Sequence, residues 1–186
     1  MNAHEDETRL VEAAKQGDEH AIAALYRKHA DNVYRYIQSR VNNSPLAEDM
    51  TSDVFVRAIE KLAAYEQRGI PFLGWLYHLA HGLVVDYYRK QSRRQPAQSI
   101  HDMTIASDHN PEQAAFKNIR HEQLLHHIRK LTPEQQQVVS LRFLQGYDLR
   151  ETAALMGKQV GAVKALQMRA LRSLAKHLEP TQGADE

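Results

Sequence analysis

The chain has 186 residues, 25% of them charged, with a formal net charge of +1, which leaves room for one medium or two small domains. It has no cysteine, which excludes disulfides, thiolate zinc sites and a thiol switch within the chain. There is no signal-peptide pattern and no run of about 18 apolar residues, so a soluble, cytoplasmic chain is expected. The charge is unevenly placed. Residues 1–95 carry 13 basic and 13 acidic groups, whereas residues 111–178 carry 11 basic and 5 acidic groups, a net of +6. A basic C-terminal module joined to a balanced N-terminal one suggests a division of labour between them.

Helical periodicity dominates, with no convincing strand, so an all-α fold is predicted. Residues 10–15 form a short helix that stops near Gly17. Asp18 caps the next helix, which carries Ala21, Leu25, Val33, Tyr36 and Ile37 and runs to about Val41. Asn42, Asn43 and Ser44 break the chain, and Pro45 suits the first turn of a third helix with Met50, Val54, Ile59 and Leu62 at core spacing. Glu48, Asp49 and Asp53 make an acidic patch on that helix. Residues 65–71 read as a loop, and a fourth helix from Phe72 to about Arg89 holds Trp75, Leu76, Leu79, Leu83 and Val84. That helix ends in a basic run of Arg89, Lys90, Arg93 and Arg94.

Residues 95–110 lack helical periodicity and read as an interdomain linker. Pro111 and Glu112 open a second helical set running through Ile128. Thr132 and Pro133 resemble an N-cap followed by a first-turn proline, and Gly146 closes the helix that they start. A short helix, a turn at Gly157 and a second helix follow over residues 149–178. From Thr152 onward the only full charges in this segment are Lys158, Lys164, Arg169, Arg172 and Lys176. A helix with cations and small residues on one face is suited to a DNA major groove. Ala153 is small where two helix backbones would cross, and Gly157 provides the left-handed turn. Measured from Val163 at 100° per residue, Val160, Leu166, Ala170, Leu171, Leu174 and Leu178 fall within about 80°, forming a buried face. Gly161, Lys164, Ala165, Met168, Arg172 and Lys176 lie opposite, while Gln167 falls on the apolar side. An ordinary amphipathic helix pair with a solvated basic face competes for this segment taken alone. Residues 179–186 read as a frayed tail.

Two separated motifs point to one family. The segments AEDMTSDVFVRAIEKL (47–62) and FLGWLYHLAHGLVVDYYRK (72–90), with LTPEQQQVVSLRFLQGYDLRETAALMGKQVGAVKALQMRALRSL (131–174), resemble bacterial RNA polymerase sigma factors of the sigma-70 family, extracytoplasmic-function type. The resemblance implies two small helical domains, 1–94 and 111–178, on either side of the linker. It implies that Asp49, Ser52 and Asp53 contact core RNA polymerase, with Ser52 standing where the family often has Gln. It further implies that Tyr65, Gln67, Arg68, His81, Gly82, Arg89, Lys90 and Arg93 recognise and help melt the minus-ten promoter element. His81-Gly82 stand where many members have Arg-Asn, which removes a side-chain amide able to read a base. Trp75 is read as core. Lys158, Gln159, Gly161, Lys164, Ala165, Met168, Arg169 and Arg172 would face the minus-thirty-five element. Ala162, Ala165 and Leu166 replace the more polar family residues there, which shifts reliance toward phosphate contacts and DNA shape.

The implied partners are RNA polymerase core, promoter DNA and an anti-sigma factor, with no membrane insertion, no cofactor and no catalysis. The free chain is expected to bind promoter duplex weakly, because each domain offers a small interface and the linker leaves their placement undefined. A conventional helix-turn-helix regulator with an N-terminal signal-binding or dimerisation domain explains the C-terminal motif equally well. It does not explain the acidic helix, the Tyr/Gln/Arg loop and the Trp helix with its basic end. A metal protein is the third class. Its best ligand set, His121, Glu122, His126 and His127, contains no HExxH pattern, and its two adjacent histidines diverge by about 100°.

Overall fold

The computed structural model describes residues 3–66, 69–94 and 111–178. The linker, the tail, Gln67 and Arg68 lie outside the described residues. Among the described residues there are eight α-helices: α1 (Ala3–Lys15), α2 (Glu19–Val41), α3 (Ser44–Lys61), α4 (Phe72–Arg94), α5 (Pro111–Arg129), α6 (Pro133–Val139), α7 (Leu149–Met156) and α8 (Val160–Leu178). No strand occurs among the described residues, and none of their helices is long and apolar enough to cross a membrane.

Local chemistry sets the helix starts. The Asp18 carboxylate accepts from the backbone N–H groups of His20 at 2.8 Å and Ala21 at 3.3 Å. Asn43 rather than Ser44 caps α3, its side-chain oxygen accepting from Leu46 N–H at 3.0 Å. The break before it is made by Asn42 in the left-handed conformation, φ 50°, which Asn tolerates better than most residues. Thr132 forms a reciprocal capping box with Gln135, and Asp148 forms one with Glu151. Each satisfies backbone donors that a helix start would otherwise leave unpaired.

Helices α1 to α4 pack together around Val33, Tyr36, Ile37, Val54, Leu76, Tyr77 and Val84, all essentially solvent-free. The rings of Tyr36 and Tyr77 lie 4.8 Å apart, a contact worth about 1 kcal/mol beyond area burial. In the C-terminal half, α5 and α6 pack on α8 through Leu125, Ile128, Leu131, Val139, Ala170 and Leu174. α6 runs on into a π-helical turn, Ser140–Leu144, where Gln145 N–H reaches back to the Ser140 carbonyl at 2.9 Å.

The two halves are in contact. Helix α4 packs against α7, α2 packs against the π-helical turn, and one apolar cluster contains Tyr36, Leu76 and Tyr77 together with Val138, Leu141, Leu155 and Val163. The expectation that the linker leaves the placement of the halves undefined is therefore replaced by a definite packed arrangement.

Candidate nucleic-acid interface and acidic docking face

On α3, Ala47, Met50, Thr51 and Val54 are buried, and this turns Glu48, Asp49, Ser52 and Asp53 to solvent. The Ser52 hydroxyl donates to the Glu48 carbonyl at 3.2 Å, so it lies along the helix with its carboxylate neighbours free. The exposed stripe continues through two apolar residues, Val56 at 55% and Ile59 at 49% exposure. Sequence periodicity assigns Ile59 to the core, but Ala58 occupies that place. Beside the stripe, Tyr26 meets Phe55 edge-on at 4.7 Å. These two rings, with Ile22, Arg27, Glu19 and Ile59, line an open groove of about 470 Å³. An acidic helix face bordered by exposed aliphatic and aromatic surface is a protein-docking surface in composition. Val56 and Ile59 could have been found from their 3-residue spacing along the Asp49–Ser52–Asp53 stripe.

The second group sits on α4 and the loop before it. The Tyr65 ring is buried, 4.7 Å from Trp75 and edge-on to Phe72, and its hydroxyl donates to the Ile70 carbonyl at 3.1 Å. Burial pushes this phenol up to about 12. Tyr65 therefore holds the loop in shape, and a base could stack on it only after the loop rearranged. Trp75 is half-buried and packs against the core cluster. His81 is turned inward: its Nδ1 faces the Tyr36 hydroxyl at 3.4 Å and the Arg40 guanidinium at 3.3 Å. Burial and then the Arg40 charge push its pKa down to about 4, so the ring is neutral. Gly82, Arg89, Lys90 and Arg93 are exposed, with Arg89 paired to Asp86 at 2.9 Å. The basic end of α4 is thus available, whereas Tyr65 and His81 are engaged elsewhere.

The third group is the helix-turn-helix. Gly157 adopts φ 62° and Lys158 N–H returns to the Ala153 carbonyl at 2.9 Å, which closes the turn. Val163 and Ala170 are fully buried, Leu166 and Leu174 nearly so, and Gln159, Gly161, Lys164, Ala165, Met168, Arg169 and Arg172 are exposed. The exposed side of α8 thus presents Lys164, Arg169, Arg172 and Lys176 without an intervening carboxylate. Lys158 is drawn to Glu134 at 2.7 Å. Val160 and Leu171, predicted to be buried, are 42% and 43% exposed, so the covered face is narrower than periodicity suggests. Gln167 finds its reason here, accepting from Arg142 Nε at 3.0 Å. Arg142 also donates to the Tyr147 carbonyl, so a polar clasp fixes α8 against the π-helical turn.

An all-α chain with a docking face on its first half and a cationic helix-turn-helix on its second defines a two-part DNA-binding protein. Residues 25–94 match the family described as Sigma-70 region 2, and residues 121–174 match Sigma-70, region 4. The ECF RNA polymerase sigma factor BldN of Streptomyces coelicolor is 41% identical over 171 residues, covering 91% of this chain and 64% of BldN, so the chain spans about two thirds of that relative's length. The ECF RNA polymerase sigma factor SigD of Mycobacterium tuberculosis is 32% identical, covering 89% of this chain and 80% of SigD. The solved structure of CnrH in complex with the cytosolic domain of CnrY shares the fold, with a TM-score of 0.60 at 23% identity over 91% of this chain and 95% of that one. The chain belongs to the sigma-70 family of RNA polymerase sigma factors, in its extracytoplasmic-function class.

Proposed function

We infer that the chain is a transcription initiation factor that binds core RNA polymerase through α3 and directs it to promoters through α4 and α8. The carrying observation is the separation of two chemically opposite exposed faces, each within a different region of one family. Asp49, Ser52 and Asp53, extended by Val56 and Ile59, form the polymerase contact. Gly82, Arg89, Lys90 and Arg93 serve the minus-ten element, with Gln67 and Arg68 in the preceding loop reading bases and Tyr65 and His81 released to join them. Lys158, Gln159, Gly161, Lys164, Ala165, Met168, Arg169 and Arg172 serve the minus-thirty-five element. The cations neutralise phosphates, while Gly161 and Ala165 let the backbone approach closely.

The factor performs no catalytic step of its own, requires no cofactor and acts in the cytoplasm, where the polymerase is. Residues 95–110 join a minus-ten domain, 1–94, to a minus-thirty-five domain, 111–178. By analogy with the sigma factor RpoE solved in complex with the anti-sigma factor NepR from Bartonella quintana, an anti-sigma protein is a natural regulator. Run-off transcription with purified core polymerase tests the reading, since the chain should confer initiation at a specific start. The double reversal Asp49→Lys with Asp53→Lys should reduce polymerase co-purification at least tenfold while leaving helix content intact. Unaltered recruitment by that variant would remove the α3 assignment.

A further inference from the structure

Glycine in a helix destabilises it relative to alanine unless a turn or a close neighbour requires the missing side chain. Gly74 and Gly157 meet that condition. A Cβ on Gly74 would lie 2.4 Å from the Leu155 carbonyl oxygen, and one on Gly157 would lie 2.5 Å from Ile70 Cγ1. Gly161, in the first turn of α8, meets neither. It is exposed, it does not take a positive φ, and a Cβ built on it would find no heavy atom within 4 Å. Nothing inside the protein accounts for this glycine, so its reason lies outside.

The same face carries a second anomaly. At 100° per residue from the buried Val163, Gly161, Ala165, Met168 and Arg172 fall within about 40° of the direction directly opposite. All four are exposed, Met168 by 48%. The other exposed large apolar residues of α8, Val160 and Leu171, lie at about 60° and 80°, on the margin of the covered face. Met168 alone places a large apolar side chain at the centre. Lys164 and Arg172 flank it four residues to either side, while Arg169 Nε turns back to the Ala165 carbonyl at 3.3 Å. No hydroxyl, amide or carboxylate stands on this stripe, and the Gln167 amide is turned away to Arg142.

The cations fit phosphates, which position a helix but carry no sequence. In the major groove a base edge offers donors, acceptors or the 5-methyl group of thymine. A thioether donates nothing and accepts weakly, so the methyl is the one feature that Met168 can select. We propose that Met168 reads the 5-methyl of a thymine in the minus-thirty-five element, and that the bare backbone at Gly161 seats α8 deeply enough to bring it there. Ala165, between the two, keeps the same approach clear. The proposal rests on the initiation-factor reading and adds to it the class of base that α8 selects.

Holoenzyme assembled from the full chain and core polymerase would first select promoters from duplexes randomised over the minus-thirty-five positions. Each thymine of the selected element, on either strand, is then replaced singly by deoxyuridine, which removes only the methyl. One replacement should weaken binding about fourfold, the worth of one apolar carbon, at fixed salt. Met168→Ala removes no buried contact and should make that replacement silent, whereas Met168→Leu should restore its effect. Gly161→Ala should raise the melting temperature of the free factor, because its methyl meets open space, yet weaken promoter binding severalfold. A selected element without thymine overturns the proposal. So do deoxyuridine losses that are equal in the unsubstituted chain and Met168→Ala, or full promoter affinity in Gly161→Ala. Absence of any initiation would instead defeat the initiation-factor reading, and this inference with it, whereas initiation indifferent to the methyl defeats this inference alone.

Discussion

His81 shows how one side chain joins burial, charge and conformation. Arg40 donates to its Nδ1, so the neutral ring carries its proton on Nε2, which has no protein partner in the interface. The groups facing it are Tyr36 and Arg40 from α2, Ser140 and Gln136 beyond Arg40, and His78 on its own helix. Its pKa is about 4 when folded against an ordinary 6.5. Between these values the unfolded chain binds the proton and the folded one does not. The stabilisation is therefore complete above pH 6.5 and is lost as pH falls from 6.5 toward 4. Glu7 acts in a lower window. The His29 ring nitrogen 3.3 Å from its carboxylate, opposed by burial and aided by Lys28, holds it at about 2, against an ordinary 4.5, so its contribution fades only below pH 4.5. Melting temperature measured from pH 7.5 to 5 should fall, and the fall should be clearly smaller in His81→Gln, which keeps an acceptor but does not titrate. An equal fall in both chains would exclude His81 as the group responsible.

Among the elements, the turn between α7 and α8 is the most sharply determined. Gly157 needs a left-handed backbone and has Ile70 against its α-carbon, so Gly157→Ala should cost about 1–2 kcal/mol from backbone conformation alone, with the side-chain clash added. Chemical denaturation would show it as a lower midpoint with loss of helicity confined to the C-terminal half. This turn was legible in the sequence, as were Asp18, Pro45, Thr132 and the end of α2, because caps and turns are encoded by residues only a few positions apart. The helix faces were less legible. Ile59 and Ala58 differ by one 100° step, and which of them is buried depends on where α2 and α4 lie. Val160 and Leu171 are apolar on a face that α5 and α6 cover only in part. Tyr65 reads as a free ring until Phe72 and Trp75 are seen closing on it. Gln167 had no local explanation because its partner, Arg142, lies in a π-helical turn that no hydrophobic pattern announces.

For the molecule as a whole, the separate acidic and cationic surfaces were legible from charge bookkeeping, and the family follows from motifs that cover most of the chain. The packing of one half on the other was not legible. Arg40 reads as an ordinary basic residue near a helix end, and its partners Gln136 and Ser140 are 96 and 100 positions away. Trp75, the only tryptophan of the chain, touches the rings of Tyr65 and Phe72. The molecule thus has a native optical gauge beside the loop assigned to the minus-ten element. Unlabelled factor titrated with tryptophan-free promoter DNA and polymerase fragments devoid of tryptophan should show a shift in indole emission as the Tyr65 ring leaves Trp75, and Tyr65→Ala should start from the shifted spectrum.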